Sequence, residues 1–212
     1  MTVVKICGLT NLADALAAAE AGADLLGFVL VPSSPRAITI EQAAEVVAAL
    51  RARGVNVPCV GVVAGLTPSQ ALAARERARL DLLQVHDEDA EALAAALHPA
   101  VIVARRVEGA ESLPGLARIP AFAYLLDSRG VERRSGAVAP WAWGLLHTAG
   151  LPGRVIVAGG LDPWNVAGAV RAARPYGVDV ASGVESAPGR KDRAAVTRFI
   201  RAVREVDNEY QC

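Results

Sequence analysis

The chain has 212 residues, 53% of them hydrophobic, and its 22 basic residues balance 22 acidic ones. That composition supports a large core and excludes a disordered chain, and the neutral balance argues against a nucleic-acid surface as the main business of the protein. Three widely spaced cysteines (Cys7, Cys59, Cys212) and no uninterrupted apolar run of spanning length exclude a disulfide framework, a zinc site and a membrane partner, so a cytoplasmic protein is expected.

Short β-rich runs alternate with Ala/Leu/Arg helical patterns along the whole chain. "VVKI" at 3–6 precedes a helix over Leu12–Ala21, and "LLGFVL" at 25–30 precedes one over Ile40–Arg51. "CVGVV" at 59–63 leads to a helix opening at Pro68, where Thr67 is the expected N-cap and proline suits the first helical position. "LLQV" at 82–85 precedes Ala90–Leu97, and "VIVARR" at 101–106 precedes a poorly marked segment around Ser112–Leu116. "AYLLD" at 123–127 leads through a long loop to a weak helix near Trp141–Leu146. "VIVA" at 155–158 precedes a helix opened by Asp162-Pro163, and "VDVA" at 178–181 a last helix near Asp192–Val203.

Eight strands, each with a following helix or helix-like segment, predict a single-domain (β/α)8 TIM barrel over 1–212. Continuous Val/Ile/Leu runs fit strands buried on both faces. An open doubly wound sheet is the structural rival, but no GxGxxG follows the first strand.

In such a barrel the C-terminal strand ends face the active-site mouth. Here those ends carry Cys7, Gln84 with His86, Arg105, Asp127 and Asp179. Each alone reads as a structural polar group or, for Cys7, a small hydrophobe; together on one rim they read as a site. Lys5 and Cys7, two residues apart on one strand, share a face. An inward Lys5 needs a partner, and Asp179 on the neighbouring eighth strand is the expected one. A Schiff-base role is the alternative for Lys5. Glycines in "AGGL" at 158–161 and "ASGVE" at 181–185 expose backbone N–H groups where this fold usually holds phosphate.

Taken together, "VKICGLT", "GADLLGFVLVPSSPRAI", "LLQVHDEDAEAL", "AYLLDS", "VIVAGGLDPWNV" and "GVDVASGVESAPGRKD" resemble, in order, segments of the phosphoribosylanthranilate isomerase family of tryptophan biosynthesis. The resemblance implies an Amadori-type rearrangement of a phosphorylated anthranilate-ribose substrate without metal or organic cofactor. It implies Cys7 as general base and Asp127 as general acid. Arg36 would contact the anthranilate carboxylate and Asp179 would lie near the sugar; Gln84 and His86, at the end of the fourth strand on the same rim, are further candidates for substrate contact. Gly159, Gly160, Ser182 and Gly183 would hold the phosphate. A Cys base needs its thiolate favoured, which a nearby Lys5 ammonium would do. The partner set is then a small molecule, with no nucleic acid or membrane and either a monomer or a homodimer.

The chain departs from the family pattern in three loops. "RRSGAVAPW" at 133–141 stands where the family usually has a glycine-rich G-G-[ST]-G followed by F-D-W. Loop four reads Q-x-H-D-E-D, and loop three ends "VVAG" without the usual Asn. A specialised paralogue acting on a related phosphosugar arylamine and a catalytically silent binding barrel are the alternatives that such changes raise. Retention of both Cys7 and Asp127 weighs against the second.

Overall fold

The structure is a computed structural model that describes residues 1–86, 90–107, 116–128 and 153–210. Eight parallel strands pair in chain order: β1 (Val3–Ile6), β2 (Leu25–Val29), β3 (Cys59–Val63), β4 (Leu82–His86), β5 (Val101–Arg106), β6 (Ala123–Asp127), β7 (Val155–Ala158) and β8 (Gly177–Val180). β8 pairs back onto β1, with Lys5 opposite Asp179, so the sheet is closed and leaves no edge. The TIM barrel expected from the sequence is the fold observed.

Alternation along each strand divides the apolar residues into two clusters. Leu25, Val60, Leu82, Ile102, Leu125 and Ile156 fill the barrel, while Val4, Leu26, Leu83, Val103, Val157 and Val178 belong to the layer beneath the helices. Among the described residues that layer is covered by α1 (Leu12–Glu20), α2 (Ile40–Ala52), α3 (Pro68–Arg77), α4 (Ala90–Leu97), α5 (Val166–Ala173) and α6 (Arg193–Glu209). Local chemistry starts them where the sequence places them. Thr39 with Gln42 and Thr67 with Gln70 form reciprocal capping boxes, Pro68 opens α3, and Asp192 accepts from Ala194 N and Ala195 N at 2.8 and 3.0 Å.

Two helix bounds differ from expectation. Asp162-Pro163 is not the first turn of α5: Asp162 Oδ1 accepts from Trp164 N and Asn165 N, making a local turn, and the helix opens after Asn165. α6 runs beyond Val203 to Glu209 because Val206 and Asp207 continue its buried stripe. There Asp207 accepts two bonds from Thr2 N and one from Thr2 Oγ1, and Arg204 bridges Thr2 O to Asp24, tying the last helix to the first strand. The expected segment near Trp141–Leu146 and most of Ser112–Leu116 lie outside the described residues. Beyond β8 a short hairpin, β9 (Glu185–Ala187) and β10 (Arg190–Lys191), stands that the sequence reading did not anticipate.

Candidate active site

The C-terminal strand ends enclose a cavity of about 460 Å³, lined in part by Cys7, Arg36, Gln84, His86, Asp127 and Asp179. Gly159, Gly160 and Ser182 complete its wall on the β7 and β8 side. Nine of the ten site residues expected from the sequence therefore open on one space. Gly183 does not line it; it packs against the backbone of Leu161.

Cys7 immediately follows β1, is 6% exposed, and its backbone N–H donates to Val180 O at 2.8 Å. Its side chain has room because β2 carries glycine opposite it: a Cβ on Gly27 would lie 2.8 Å from Cys7 Sγ. Two residues earlier Lys5 is fully buried, and its Nζ donates to Asp179 Oδ1 at 2.7 Å. Burial alone would favour a neutral amine. The Asp179 charge, the sulfur of Cys7 and their hydrogen bonds outweigh it and raise the Lys5 pKa above its ordinary value. Lys5 is thus an ammonium committed to Asp179 beneath the thiol, which leaves a Schiff-base role without support.

Asp127 ends β6 with a buried side chain and faces the same cavity. Its strand is separated from β1 by β7 and β8, so the carboxyl and the thiol approach the cavity from different walls, with the glycine loops between them. Gly159 and Gly160 hold φ of 97° and 68°, values that L side chains resist. Asn165 Nδ2 donates to Gly160 O at 2.9 Å and fixes that loop. At Gly183 an added Cβ would strike the backbone of Leu161, so glycine is required for the β8 loop to lie against the β7 loop. On β4, Gln84 is buried and its Oε1 has no hydrogen-bond partner among the described residues. An unmade acceptor in a cavity wall costs about 1–3 kcal/mol unless a bound molecule supplies the donor.

One rim assignment is corrected. Ile102 and Ala104 lie in the barrel interior, so alternation along β5 turns Arg106 into the mouth and Arg105 to the outer face. Arg106 is the cation at the end of β5, opposite Asp127 in register. Two further charged groups escaped the sequence reading. Glu185, at the start of β9, accepts from Arg36 Nε at 2.8 Å and Nη2 at 2.6 Å. Lys191, on β10, donates to Glu185 Oε1 at 2.9 Å. The Pro-Gly dipeptide in "SAPGRK" is the turn signal from which this hairpin was legible. The Arg133–Arg134 loop lies outside the described residues. Among the described residues no three His, Cys, Asp or Glu side chains group as a metal site, and no helix is long and apolar enough to cross a membrane.

The family model for N-(5'-phosphoribosyl)anthranilate (PRA) isomerase matches residues 4–202. A curated relative from Magnetococcus marinus, N-(5'-phosphoribosyl)anthranilate isomerase, is 45% identical over 204 residues, covering 95% of this chain and 94% of its own. The crystal structure of phosphoribosyl anthranilate isomerase from Thermus thermophilus superposes with a TM-score of 0.82 at 42% identity, over 97% of this chain and 100% of that one. A further isomerase structure, in complex with reduced 1-(o-carboxyphenylamino)-1-deoxyribulose 5-phosphate, superposes with a TM-score of 0.79 at 31% identity, over 97% and 100% of the two chains.

Proposed function

This chain belongs to the N-(5'-phosphoribosyl)anthranilate isomerase family, and from that premise we propose the part that each of its own residues takes in the reaction. The protein is an isomerase of tryptophan biosynthesis that converts the aldosylamine N-(5'-phosphoribosyl)anthranilate to the aminoketose 1-(2-carboxyphenylamino)-1-deoxyribulose 5-phosphate. Asp127 gives its proton to the furanose ring oxygen, the C1′–O bond breaks, and the anthranilate nitrogen lone pair forms the C1′ iminium. Cys7, as thiolate, then takes the C2′ proton, and the released electron pair neutralises the iminium as an enolamine. The enolamine tautomerises to the ketone. Substrate and product are isomers, so no electron acceptor enters the balance, and the two enzyme groups return to their starting states by proton exchange.

Lys5 sits under Cys7 and keeps its positive charge, held there by Asp179. Asp179, held by Lys5, presents its remaining acceptor capacity to the sugar hydroxyls. Gln84 Oε1 accepts from the substrate, which gives that buried oxygen its missing donor. The glycine loops after β7 and β8 offer backbone N–H groups to the phosphate, and Arg36 meets the carboxylate at the other end of the molecule.

The observation that carries this reading is that Cys7 and Asp127 open on one cavity from strands flanking the two glycine loops. It is tested in a bacterial tryptophan auxotroph lacking only this isomerase. The gene should restore growth without tryptophan, and versions encoding Cys7→Ala or Asp127→Asn should not. Failure of the well-expressed wild-type protein to restore growth would contradict the reading.

A further inference from the structure

Arg36 is held before any substrate arrives. Its Nε and Nη2 make two parallel bonds to Glu185, 2.8 and 2.6 Å long, which fix the plane of the guanidinium. The stem leading to that contact crosses Gly8, where an added Cβ would lie 2.5 Å from Arg36 Cδ. Arg36 lines the cavity, whereas the Glu185 side chain, 4% exposed, lies behind it. Arg36 thus meets the wall through its Nε–Nη2 edge while the residue lines the cavity. Glu185 is itself anchored. Its Oε1 accepts from Lys191 Nζ at 2.9 Å and Gly189 N at 3.3 Å, Lys191 Nζ also donates to Ala181 O, and Thr10 Oγ1 closes the hairpin through Gly189 O.

Charge decides what this assembly does. An isolated Arg36–Glu185 pair is neutral and offers little net attraction to an incoming anion. With Lys191 on the same carboxylate, two cations meet one anion among these three groups, and burial lowers the Lys191 pKa against the pull of Glu185 and Cys7. Burial would raise the Glu185 pKa, but the bonds from Arg36 and Lys191 prevail and hold it below the ordinary carboxylate range. Its charge therefore persists at neutral pH, as does the geometry it imposes.

We propose that Glu185 and Lys191 are positioning residues for recognition of the substrate's aryl carboxylate: Glu185 orients Arg36 by its Nε edge, and Lys191 offsets Glu185 so that Arg36 still attracts an anion. The proposal rests on the carboxylate role of Arg36 in the reading above. It converts that role from one side chain into a unit spanning the loops after β1, β2 and β8.

The test uses the full chain and two ligands, reduced 1-(o-carboxyphenylamino)-1-deoxyribulose 5-phosphate and its phenylamino counterpart without the carboxyl group, measured by calorimetry. The wild type should prefer the carboxylate ligand by about tenfold or more, the range for a charge-assisted contact. Glu185→Gln and Lys191→Met should each reduce that preference severalfold while changing affinity for the phenylamino ligand less than about twofold. Turnover of phosphoribosylanthranilate should show the loss in KM, with kcat largely retained. Equal losses on both ligands would make Glu185 a structural strap and overturn the proposal, as would an unchanged preference. Glu185→Asp, which keeps the charge but shortens the reach, serves if Glu185→Gln fails to fold, and a wild-type preference in that variant overturns the proposal too. Absence of turnover in the wild type would instead contradict the isomerase reading, because ligand preference is read without it.

Discussion

Lys5 Nζ stands 2.7 Å from Asp179 Oδ1, on directly paired positions of the first and last barrel strands. A cation and a carboxylate thus close the barrel where hydrogen-bonded strands alone would suffice, and they do so beneath the thiol assigned as base. Removing one member of a buried pair leaves the other uncompensated and costs about 3–5 kcal/mol. Lys5→Met should therefore lower the melting temperature by about 10 °C in a chain of this length. It should also lower kcat in the protein that stays folded, since Asp179 loses the contact that holds it in the cavity wall. Wild-type kcat in folded Lys5→Met would separate Lys5 from the chemistry. The pair persists through neutral pH: a raised lysine pKa means its contribution is present below the unfolded value and is lost only in strong alkali.

Cys59 tests the opposite kind of cysteine. It is fully buried in the layer between β3 and the helices, and burial pushes its thiol up to about 11, against the pull of Arg51. Cys59→Ala should leave kcat and KM within about twofold, because no catalytic role falls to it. The sign of its pH effect follows from the raised pKa. Unfolded thiols ionise first, so stability falls between roughly pH 8.5 and the folded value of about 11. Cys59→Ala should lose less stability than wild type over that window in urea titrations, and parallel losses would contradict the assignment.

The loops after β7 and β8, proposed to hold the phosphate, lie in contact. Gly183→Val places a side chain against the Leu161 backbone and must separate the β8 loop from the β7 loop. Gly160→Ala forces an L residue to φ of 68°, at a cost of about 1–2 kcal/mol. Both should raise KM, and Gly183→Val should also weaken competition by inorganic phosphate. Crystals grown with sulfate should show the anion beside Gly160 and Ser182. An anion found instead at the opposite barrel face would count against this placement.

Stability and catalysis should separate at the other end of the barrel. Asp207→Ala removes the acceptor for Thr2 N and Thr2 Oγ1 and leaves buried donors unsatisfied, at about 1–3 kcal/mol for each group. Denaturant midpoints should fall while kcat at 25 °C stays near wild type, since the cluster is remote from the cavity. A large loss of kcat in fully folded protein would show coupling that this geometry does not contain.

The sequence carried the barrel because several of its strands are continuous apolar runs and the cap at Thr67 is explicit. It carried the Lys5–Asp179 pair because alternation fixes which residues face inward and barrel closure makes the first and eighth strands neighbours. Arg105 was misplaced for the same physical reason in reverse: at the end of a strand, one residue of parity decides between mouth and outer face, and only pairing with β4 and β6 sets it. Glu185 and Lys191 were not read as site residues because their function lies in holding Arg36, 149 positions from Glu185 along the chain. A long-range ion pair of that kind has no local periodicity to reveal it.

The central claim is that Cys7 removes the C2′ proton while Asp127 protonates the ring oxygen, and purified protein supplied with enzymatically generated phosphoribosylanthranilate tests it most directly. Single-turnover rates for wild type, Cys7→Ala and Asp127→Asn should be compared with the substrate deuterated at C2′. The account predicts that each variant loses roughly 10²–10⁴-fold, the range for a positioned proton donor or acceptor. It also predicts that the deuterium effect is largest in Cys7→Ala, where proton removal limits, and smallest in Asp127→Asn, where ring opening limits. Near-wild-type turnover in either variant, or a deuterium effect in the reverse order, would contradict the assignment of base and acid.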